Sequence, residues 1–513
     1  MHKECMAPTK KLPGDCIQKL SPGVFPLEST FYQEINTRIF MIKKRCRKNV
    51  SLCFTLAALN CVVGGCHRGG PASDNTESPP ATAVVAAALE ESSNTPDPCE
   101  LVLAPHAGTG RLDAEITRLQ AKLRNETNPI PYLERLGWLF VAKARESFDP
   151  GYYKLVEQCA LCLESHQPHA AEALLLRGHV LQSLHRFKEA ELLARELVAR
   201  RGLSFDYGLL GDVLMEQGSL SEAADAYQKM VDQKPDLQAY ARISYLRWLK
   251  GDLGGAAEVM KLAVGAASPN APESAAWVNT RLALLEFQRG STDEARQRID
   301  AALGFQRDYA PALLLRGRVL LAEGNTFEAV DALQRAAQLN PLPEYQWILS
   351  DALRAVGRAE EADTVERQLR RDGAAADPRT FALYLASRGE STSTALDLAR
   401  AELTTRGDVF THDALAWALA ANGEVEAASR EMDLALAEGT RDARLFFHAA
   451  VIAGKAGRTE DAAVWFSKAA PLMPLLLPSE RVSLLASAKE SQAAEEAAMQ
   501  PSSGAAETFA PAN

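Results

Sequence analysis

The chain has 513 residues, of which 24% are charged and 47% are hydrophobic, proportions that are typical of a soluble globular protein. Its net charge of −10 is unevenly distributed, because residues 1–66 contain 10 Lys or Arg against 4 Asp or Glu, which leaves 46 against 62 in the remainder. The resulting charge of −16 argues against a nucleic-acid partner for residues 67–513.

The N-terminal residues follow a pattern that is typical of protein export. Residues 1–40 have no sustained hydrophobic period, and we expect them to be untranslated or disordered. A basic stretch that begins at Met41 is followed by the apolar run 50–63, then by two glycines and Cys66. This order is that of a secretory signal peptide, and the apolar run is too short for a comfortable membrane span.

The end of this stretch, Val63 to Cys66, resembles a bacterial lipobox, in which the cysteine is lipidated and becomes the mature N-terminus. The resemblance implies a lipoprotein-type signal peptide over 41–66, with acyl chains on Cys66 as the only contact with a membrane. It also implies the bacterial cell envelope, where His67 favours the periplasmic face of the outer membrane over the inner membrane. The alternatives are ordinary secretion, an uncleaved anchor, or a chance apolar run in a cytoplasmic protein.

Residues 67–110 are predicted to form a flexible linker, because Arg68 to Pro98 is rich in Pro, Ser, Thr and Ala and has no hydrophobic period. Apolar residues then recur at helical spacing at Leu112, Ile116, Leu119 and Leu123, which predicts an N-terminal capping helix over 111–128. A second capping helix is predicted over 478–499, where it covers the last repeat, followed by a disordered tail over 500–513.

The stretch Ala310 to Pro341 contains a complete structural unit of two short helices. Gly324 breaks the first helix, Ala329 and Leu333 lie on one stripe of the second, and Pro341 ends it. The turn glycine recurs at intervals of 32 to 39 residues, at Gly218, Gly251, Gly290, Gly324, Gly357, Gly389, Gly423 and Gly457. A fixed period of this length is the signature of a repeat architecture.

Small residues accompany every turn glycine. Seven residues before it stand Gly211, Ser244, Ala283, Gly317, Ser350, Ala382, Ala416 and Ala450. Five residues after it stands alanine, with Thr394 as the one exception. A ninth unit has His185 at its turn, between Gly178 and Ala190. Small side chains at fixed positions allow paired helices to approach closely.

This punctuation resembles the tetratricopeptide repeat family, whose unit is two antiparallel helices of about 34 residues. The resemblance covers residues 129–475 and departs from the pattern at an insertion near 268–273. It implies an all-α fold, a right-handed α-solenoid of about nine to ten repeats with capping helices at both ends.

Nine cysteines give no disulfide framework, because six of them lie at or before Cys66. One cluster has metal-ligand chemistry: Cys159, Cys162, His166 and His169. Four ligands on a single helix do not easily surround an ion, and Pro168 is expected to end the helix, so packing is favoured over metal binding. No phosphate-binding loop, zinc-protease motif or nucleophile elbow occurs, which indicates a non-enzymatic protein without a cofactor or a small-molecule substrate.

The tetratricopeptide resemblance places several first-helix positions of each repeat on the concave surface. At those positions stand Phe205, Met215, Tyr245, Trp248, Trp277, Phe287, Arg318, Trp347, Asp351, Arg354, Phe410, Asp413, Trp417 and Phe447. Aromatic residues interspersed with charges are typical of a groove that binds a peptide through apolar anchors. On this hypothesis, Trp347→Ala costs little stability and much affinity.

The sequence therefore predicts a scaffold that binds a protein or peptide partner in its concave groove and is secreted and lipid-anchored. A more specific hypothesis is an accessory lipoprotein for outer-membrane, pilus or secretion-machinery assembly. A cytoplasmic regulator and, less favoured, a metal-binding protein are also compatible with the sequence.

Overall fold

The computed structural model describes residues 96–499, with side chains through Lys489. The predictions for residues 1–40, the signal peptide with Cys66, most of the linker and the tail over 500–513 lie outside the described residues. Within 96–499 the chain is helical and contains no strand. None of the helices in that range combines the length and the apolar content that crossing a bilayer requires.

Two helices precede the repeats: α1 (Pro98–Leu103) and α2 (Arg111–Leu123). The next eight form four pairs: α3 (Ile130–Ser147), α4 (Gly151–His166), α5 (Ala171–Ser183), α6 (Phe187–Arg200), α7 (Ser204–Glu216), α8 (Leu220–Gln233), α9 (Leu237–Leu249) and α10 (Leu253–Gly265). Six further pairs follow: α11 (Pro272–Gln288), α12 (Thr292–Phe305), α13 (Ala310–Glu323), α14 (Thr326–Leu339), α15 (Pro343–Ala355), α16 (Ala359–Ala376), α17 (Pro378–Arg388), α18 (Thr392–Leu403), α19 (Val409–Ala421), α20 (Val425–Leu436), α21 (Ala443–Lys455) and α22 (Thr459–Ala469).

The chain ends its described part in a 3-10 helix (Ala470–Leu475) and α23 (Pro478–Met499). The two helices of each pair pack against each other, and successive pairs stack, which makes the chain an α-solenoid. The first helices of most neighbouring pairs also contact each other, and we call the surface of the first helices that lies away from the second helices the inner face.

The small residues lie where the helices of a pair come closest. A Cβ atom on Gly317 of α13 would lie 2.4 Å from Leu333 of α14, and one on Gly211 of α7 would lie 2.3 Å from the Tyr227 ring of α8. The turn glycines all have positive φ angles, between 64° and 86°, in the left-handed region that favours glycine. The predicted helix-turn-helix punctuation is confirmed.

The exception at Thr394 comes from a longer turn. After Gly389 the second helix begins three residues later, at Thr392, whereas in the other seven units with a turn glycine it begins two residues later. Ala395 therefore occupies the buried position between the helices, with no exposed surface, and Thr394 is exposed. One extra residue in the turn shifts the pattern by one place without changing the packing.

The stretch predicted to be a linker contains structure at its end. Asp97 caps α1 by accepting a hydrogen bond from the backbone N–H of Cys99 at 2.9 Å. Cys99 forms a disulfide bond with Cys162 of α4, 63 residues away. The sequence predicts no disulfide framework, whereas the structure has this one bond, which attaches α1 to the first repeat. Cysteine spacing alone does not reveal it.

Breaking this disulfide is expected to destabilise the N-terminal end of the solenoid. For a separation of 63 residues, the chain-entropy argument gives a loss of about 4 kcal/mol in the free energy of unfolding for Cys99→Ser. Urea unfolding of both proteins with and without reductant measures it. Reductant should bring the wild type to the stability of Cys99→Ser and leave the variant unchanged, and a wild type insensitive to reductant would contradict the assignment.

The solenoid also closes on itself between distant repeats. The α7–α8 turn contacts the loop between α18 and α19, where the backbone N–H of Gly407 donates to the carbonyl of Glu216 at 3.0 Å. One repeat further along both segments, the hydroxyl of Thr440 donates to the carbonyl of Leu249, and Lys250 pairs with Glu438 at 2.6 Å. Each contact joins residues about 190 positions apart, so successive turns of the chain touch.

Candidate functional site

The predicted groove residues lie mostly in the interior of the folded chain. Nine of them are buried: Met215, Trp248, Trp277, Phe287, Trp347, Asp351, Asp413, Trp417 and Phe447. Four others are half-buried, namely Phe205, Tyr245, Arg318 and Phe410. The last, Arg354, is exposed. In this conformation most of these side chains contact the chain itself rather than solvent, so the groove hypothesis stays a prediction that requires an opening of the inner face.

One group of predicted residues lies where the two turns of the solenoid meet. Trp248 of α9 stacks on Phe410 of α19 with ring centroids 5.5 Å apart, and Tyr245 packs beside Trp248 at 5.4 Å. Beside this group, Arg406 pairs with Glu216 at 2.6 Å, and both side chains are almost completely buried. These aromatic residues therefore hold successive turns together.

A second group fills the space between α19 and α21. Trp417 stacks on His448 at 4.0 Å and packs against Phe447 at 5.3 Å. The Nδ1 atom of His448 lies 2.8 Å from a carboxylate oxygen of Asp413, and both residues are buried. The rings pack on one another and the Nδ1 atom of His448 is paired, while its buried Nε2 atom has no hydrogen-bond partner among the described residues. The ring contacts favour a packing role for this group.

The third group contacts the chain's own C-terminal segment, which we define as residues 470–489. The segment does not only cover the last repeat, as predicted from the sequence, because it also packs on α11, α13 and α15 of earlier repeats. Arg318 of α13 donates to the carbonyl of Leu475 at 3.2 Å, and Arg481 donates back to the carbonyl of Leu321 at 3.3 Å. Residues 128 to 160 positions apart are thereby joined across the inner face.

Two charged groups on the inner face hold the start of α23. The backbone N–H and the hydroxyl of Ser479 both donate to one carboxylate oxygen of Asp351, at 3.1 and 2.5 Å. Glu480 accepts from the guanidinium of Arg444 at 2.5 Å, and Arg444 lies 5.1 Å from the centroid of the Trp347 ring. At the start of α23 the inner face thus offers one carboxylate acceptor, on α15, and one cation, on α21.

Apolar side chains complete this contact. Leu476, Leu477 and Leu484 are at most 3% exposed and belong to the same apolar cluster as Trp347. The sequence alone does not assign them to the site, although three consecutive leucines at 475–477, just before a helix, are a signal that the segment is buried.

The buried carboxylate of Asp351 carries a shifted pKa. Burial raises its pKa to about 6, helped by the nearby charge of Glu480, while the hydrogen bonds from Ser479 and the charge of Arg388 act in the opposite direction. Because this pKa lies above that of the unfolded chain, the contribution of Asp351 to stability is full below pH 4 and is lost as the pH rises through about 6.

The substitution Asp351→Asn removes this titration while keeping an oxygen that accepts from Ser479. We expect the variant to be more stable than the wild type at pH 7.5, by up to about 3 kcal/mol, and equally stable at pH 4. Unfolding curves at both pH values measure the difference. The same change at the exposed Asp331 of α14 should alter stability by less than about 0.5 kcal/mol at either pH. A pH-independent difference for Asp351→Asn would contradict the assignment.

The metal candidates Cys159, Cys162, His166 and His169 do not form one cluster. Cys162 is bonded to Cys99, Cys159 is buried where burial raises the pKa of its thiol, and α4 ends at His166 before His169. Among the residues that the structure describes, the group with ligand atoms within 4.8 Å of one another is Cys99, Cys162 and His166. Two of its sulfur atoms are joined in the disulfide, so the described arrangement does not present them as thiolate ligands.

Comparisons with known proteins support the repeat assignment. Residues 209–272 and 280–342, which span most of α7 to α14, match the family model for the tetratricopeptide repeat. A search of curated protein sequences found no match.

Several solved structures resemble the chain in part. The human IFIT1 dimer with m7Gppp-AAAA is 11% identical over 70% of this chain and 86% of that chain, with a TM-score of 0.42. A chain of the APC/C hetero-tetramer Cut9-Hcn1 is 15% identical over 66% of this chain, which spans 62% of that one, with a TM-score of 0.38. Yeast Tom70 is 14% identical over 76% of this chain and 94% of that chain, with a TM-score of 0.30.

Proposed function

We propose that this protein is a non-enzymatic scaffold that binds a peptide segment of a protein partner on the inner face of its solenoid. The observation that carries the proposal is the C-terminal segment, which this face already holds through Arg318, Asp351 and Arg444. A surface that binds one peptide through backbone groups, a cation, an acceptor and apolar contacts has the chemistry to bind another.

A peptide suits this surface better than a nucleic acid does. Asp351 lies on the inner face, and the chain beyond residue 66 carries a net charge of −16, so phosphate groups would be repelled. Arg444 and Arg318 are already engaged by carboxylate or carbonyl groups, which are the groups that a peptide offers. The mechanism is therefore recognition and display rather than catalysis.

A random peptide library displayed on phage and selected against the purified protein tests this function. We expect selected peptides to lose at least tenfold in affinity for Arg444→Glu and to keep their affinity for Arg335→Glu, the same change on the second helix α14. Arg335 is a suitable control because it is about half exposed and pairs with Asp308. Equal losses of affinity in both variants would contradict binding on the inner face.

We also propose that the scaffold is exported and anchored by lipid at Cys66. The signal-like residues 41–66 support this, and so does the Cys99–Cys162 disulfide, because disulfides persist mainly in oxidising compartments such as the periplasm. Expression in a Gram-negative host tests it by membrane fractionation and intact mass. A wild-type product that begins at Cys66 with an acyl increment, absent from Cys66→Ser, is expected, whereas an unprocessed soluble product would favour a cytoplasmic regulator.

A lipid-anchored scaffold on the periplasmic face is suited to the assembly of outer-membrane, pilus or secretion machinery. The N-terminal pattern is the observation that favours this more specific role. Co-purification of the tagged, lipidated protein with such a machine, lost in Arg444→Glu, is the expected result. Co-purification that survives the substitution would place the contact elsewhere on the protein.

A further inference from the structure

We infer that residues 472–484 are an internal ligand that occupies the peptide site, so that a partner binds by displacing them. The inference rests on the proposed function and names the chemistry of the partner. The partner's segment carries two adjacent apolar side chains, then a hydroxyl or amide donor, then a carboxylate. In this chain the same groups are supplied by Leu476, Leu477, Ser479 and Glu480.

The polar contacts define the recognised groups. The carboxylate of Glu480 is 2% exposed and meets a guanidinium, Arg444, that is 25% exposed at its side chain. Asp351 is 5% exposed as a whole residue, and its carboxylate accepts both hydrogen bonds from Ser479. A buried carboxylate without its cation is costly. The site therefore favours peptides in which a hydrogen-bond donor is followed by an acidic residue over peptides with another order.

The segment is pre-organised for this contact. The backbone N–H of Leu477 donates to the other oxygen of Glu480 at 2.8 Å, which closes the first turn of α23. Glu480 therefore fixes the start of the helix and pairs with Arg444 at the same time. A partner with the same sequence order at the start of a helix would place one carboxylate oxygen on Arg444 and the other on the backbone N–H that begins its own helix.

The segment is also less firmly attached than the repeats. Its 3-10 helix, Ala470–Leu475, has no buried residue. In α23, Glu480 and Leu484 are the buried side chains among the residues whose side chains are described, while Val482 is 69% and Leu485 is 48% exposed. By contrast, Leu445 to Ala453 of α21 are all buried. Release of the segment is therefore expected to leave the stacked repeats intact.

Attachment to the same chain makes the segment an effective competitor. A tethered ligand acts at an effective concentration in the millimolar range. A free peptide of the same sequence must therefore bind the wild type much more weakly than it binds a protein whose own segment has been released. This difference separates an internal ligand from a purely structural cap.

The substitution Glu480→Lys releases the segment, because it places two cations together in a buried site. The probe is a fluorescein-labelled synthetic peptide with the sequence of residues 472–489, measured by fluorescence anisotropy with the full-length protein. We expect the probe to bind Glu480→Lys at least tenfold more tightly than the wild type. The matched control Glu460→Lys makes the same charge change at an exposed position of α22 and should behave as the wild type does.

Two further variants test the contact itself. Adding Arg444→Glu to Glu480→Lys restores an opposite-charge pair within the chain and should abolish binding of the probe. A probe that carries the Glu480→Lys change should bind neither the wild type nor the Glu480→Lys protein, because both retain Arg444. Binding of the probe to neither the wild type nor a folded Glu480→Lys protein would overturn the inference.

Hydrogen exchange of the wild type keeps the inference testable if Glu480→Lys does not fold. The amides of residues 480–484 are expected to exchange through an opening that occurs at least tenfold more often than the opening of α13 and α21. Equal exchange of all three would overturn the inference. If library peptides bind the wild type as tightly as Glu480→Lys, the scaffold function stands and the internal ligand falls. A library that yields no peptide against the wild type or against Glu480→Lys removes the scaffold function.

Discussion

Replacing Arg406 by alanine is expected to lower the free energy of unfolding by about 3–5 kcal/mol. Its guanidinium pairs with Glu216 at 2.6 Å, with side chains that are 3% and 4% exposed, and it also lies 5.4 Å from the centroid of the Phe187 ring. Removal of the cation takes away a buried charge that offsets the desolvation of the Glu216 carboxylate. Urea unfolding of the wild type and the variant measures the loss.

The variant Arg400→Ala is the control for this prediction. Arg400 lies in the neighbouring α18 and pairs with Glu424 at 3.2 Å, but the two side chains are 52% and 41% exposed. An exposed pair contributes about 0–1 kcal/mol, so this variant should remain close to the wild type. Faster hydrogen exchange at the amide of Gly407 is expected only in Arg406→Ala, since that amide donates to Glu216 across the contact. Equal stability of the two variants would contradict the inter-turn contact.

The second large effect is expected for Trp347→Ala, which should cost about 3–5 kcal/mol. Trp347 is 1% exposed, packs edge-to-face against Tyr384 at 5.7 Å between ring centroids, and lies beneath Arg444. Truncation creates a cavity between α15, α17 and α21 that the surrounding helices cannot fill completely. Thermal or urea unfolding measures the cost.

Truncation of an exposed aromatic residue provides the comparison. Phe327 of α14 is 76% exposed, and Phe327→Ala should change stability by less than about 0.5 kcal/mol. The sequence alone favours a small effect for Trp347→Ala as well, because it predicts that the residue faces an open groove. If Trp347→Ala left stability unchanged, the buried position of Trp347 would be wrong and the open groove would be favoured.

Local sequence is sufficient to predict the helical pairs. A turn that needs a positive φ selects glycine, and a close approach of two helices selects a small residue. Gly324 therefore indicates a turn, and Gly317 indicates a close contact between helices. The insertion near 268–273 lies at the junction of α10 and α11 and includes the first two residues of α11. Even the exception at Thr394 follows from one added residue in a turn.

The closure of the solenoid has no comparable signal. Whether successive turns touch depends on small rotations between neighbouring repeats that accumulate along the chain, and these are set by packing details rather than by a motif. Glu216 and Arg406 are therefore unremarkable in the sequence and become a buried pair only in the fold. For the same reason, Trp248 and Phe410 are predicted to face a groove and instead face each other.

The inner-face site can be predicted in part. Family spacing identifies Arg318, Trp347 and Asp351 as inner positions, and the structure places all three beside the C-terminal segment or its partners. The sequence predicts the segment only as a cap on the last repeat, because the periodicity of α23 gives no information about which repeats it reaches. The leucines at 475–477 carry the only hint, and they do not identify the surface that buries them.

The most direct test of binding on the inner face is hydrogen exchange of the full-length protein with and without a saturating library-selected peptide. The proposed binding predicts increased protection in α15 and α21, which carry Asp351 and Arg444, together with loss of protection over residues 480–484 as the internal segment leaves its site. Protection that increases only in second helices such as α14 and α16, with residues 480–484 unchanged, would contradict it.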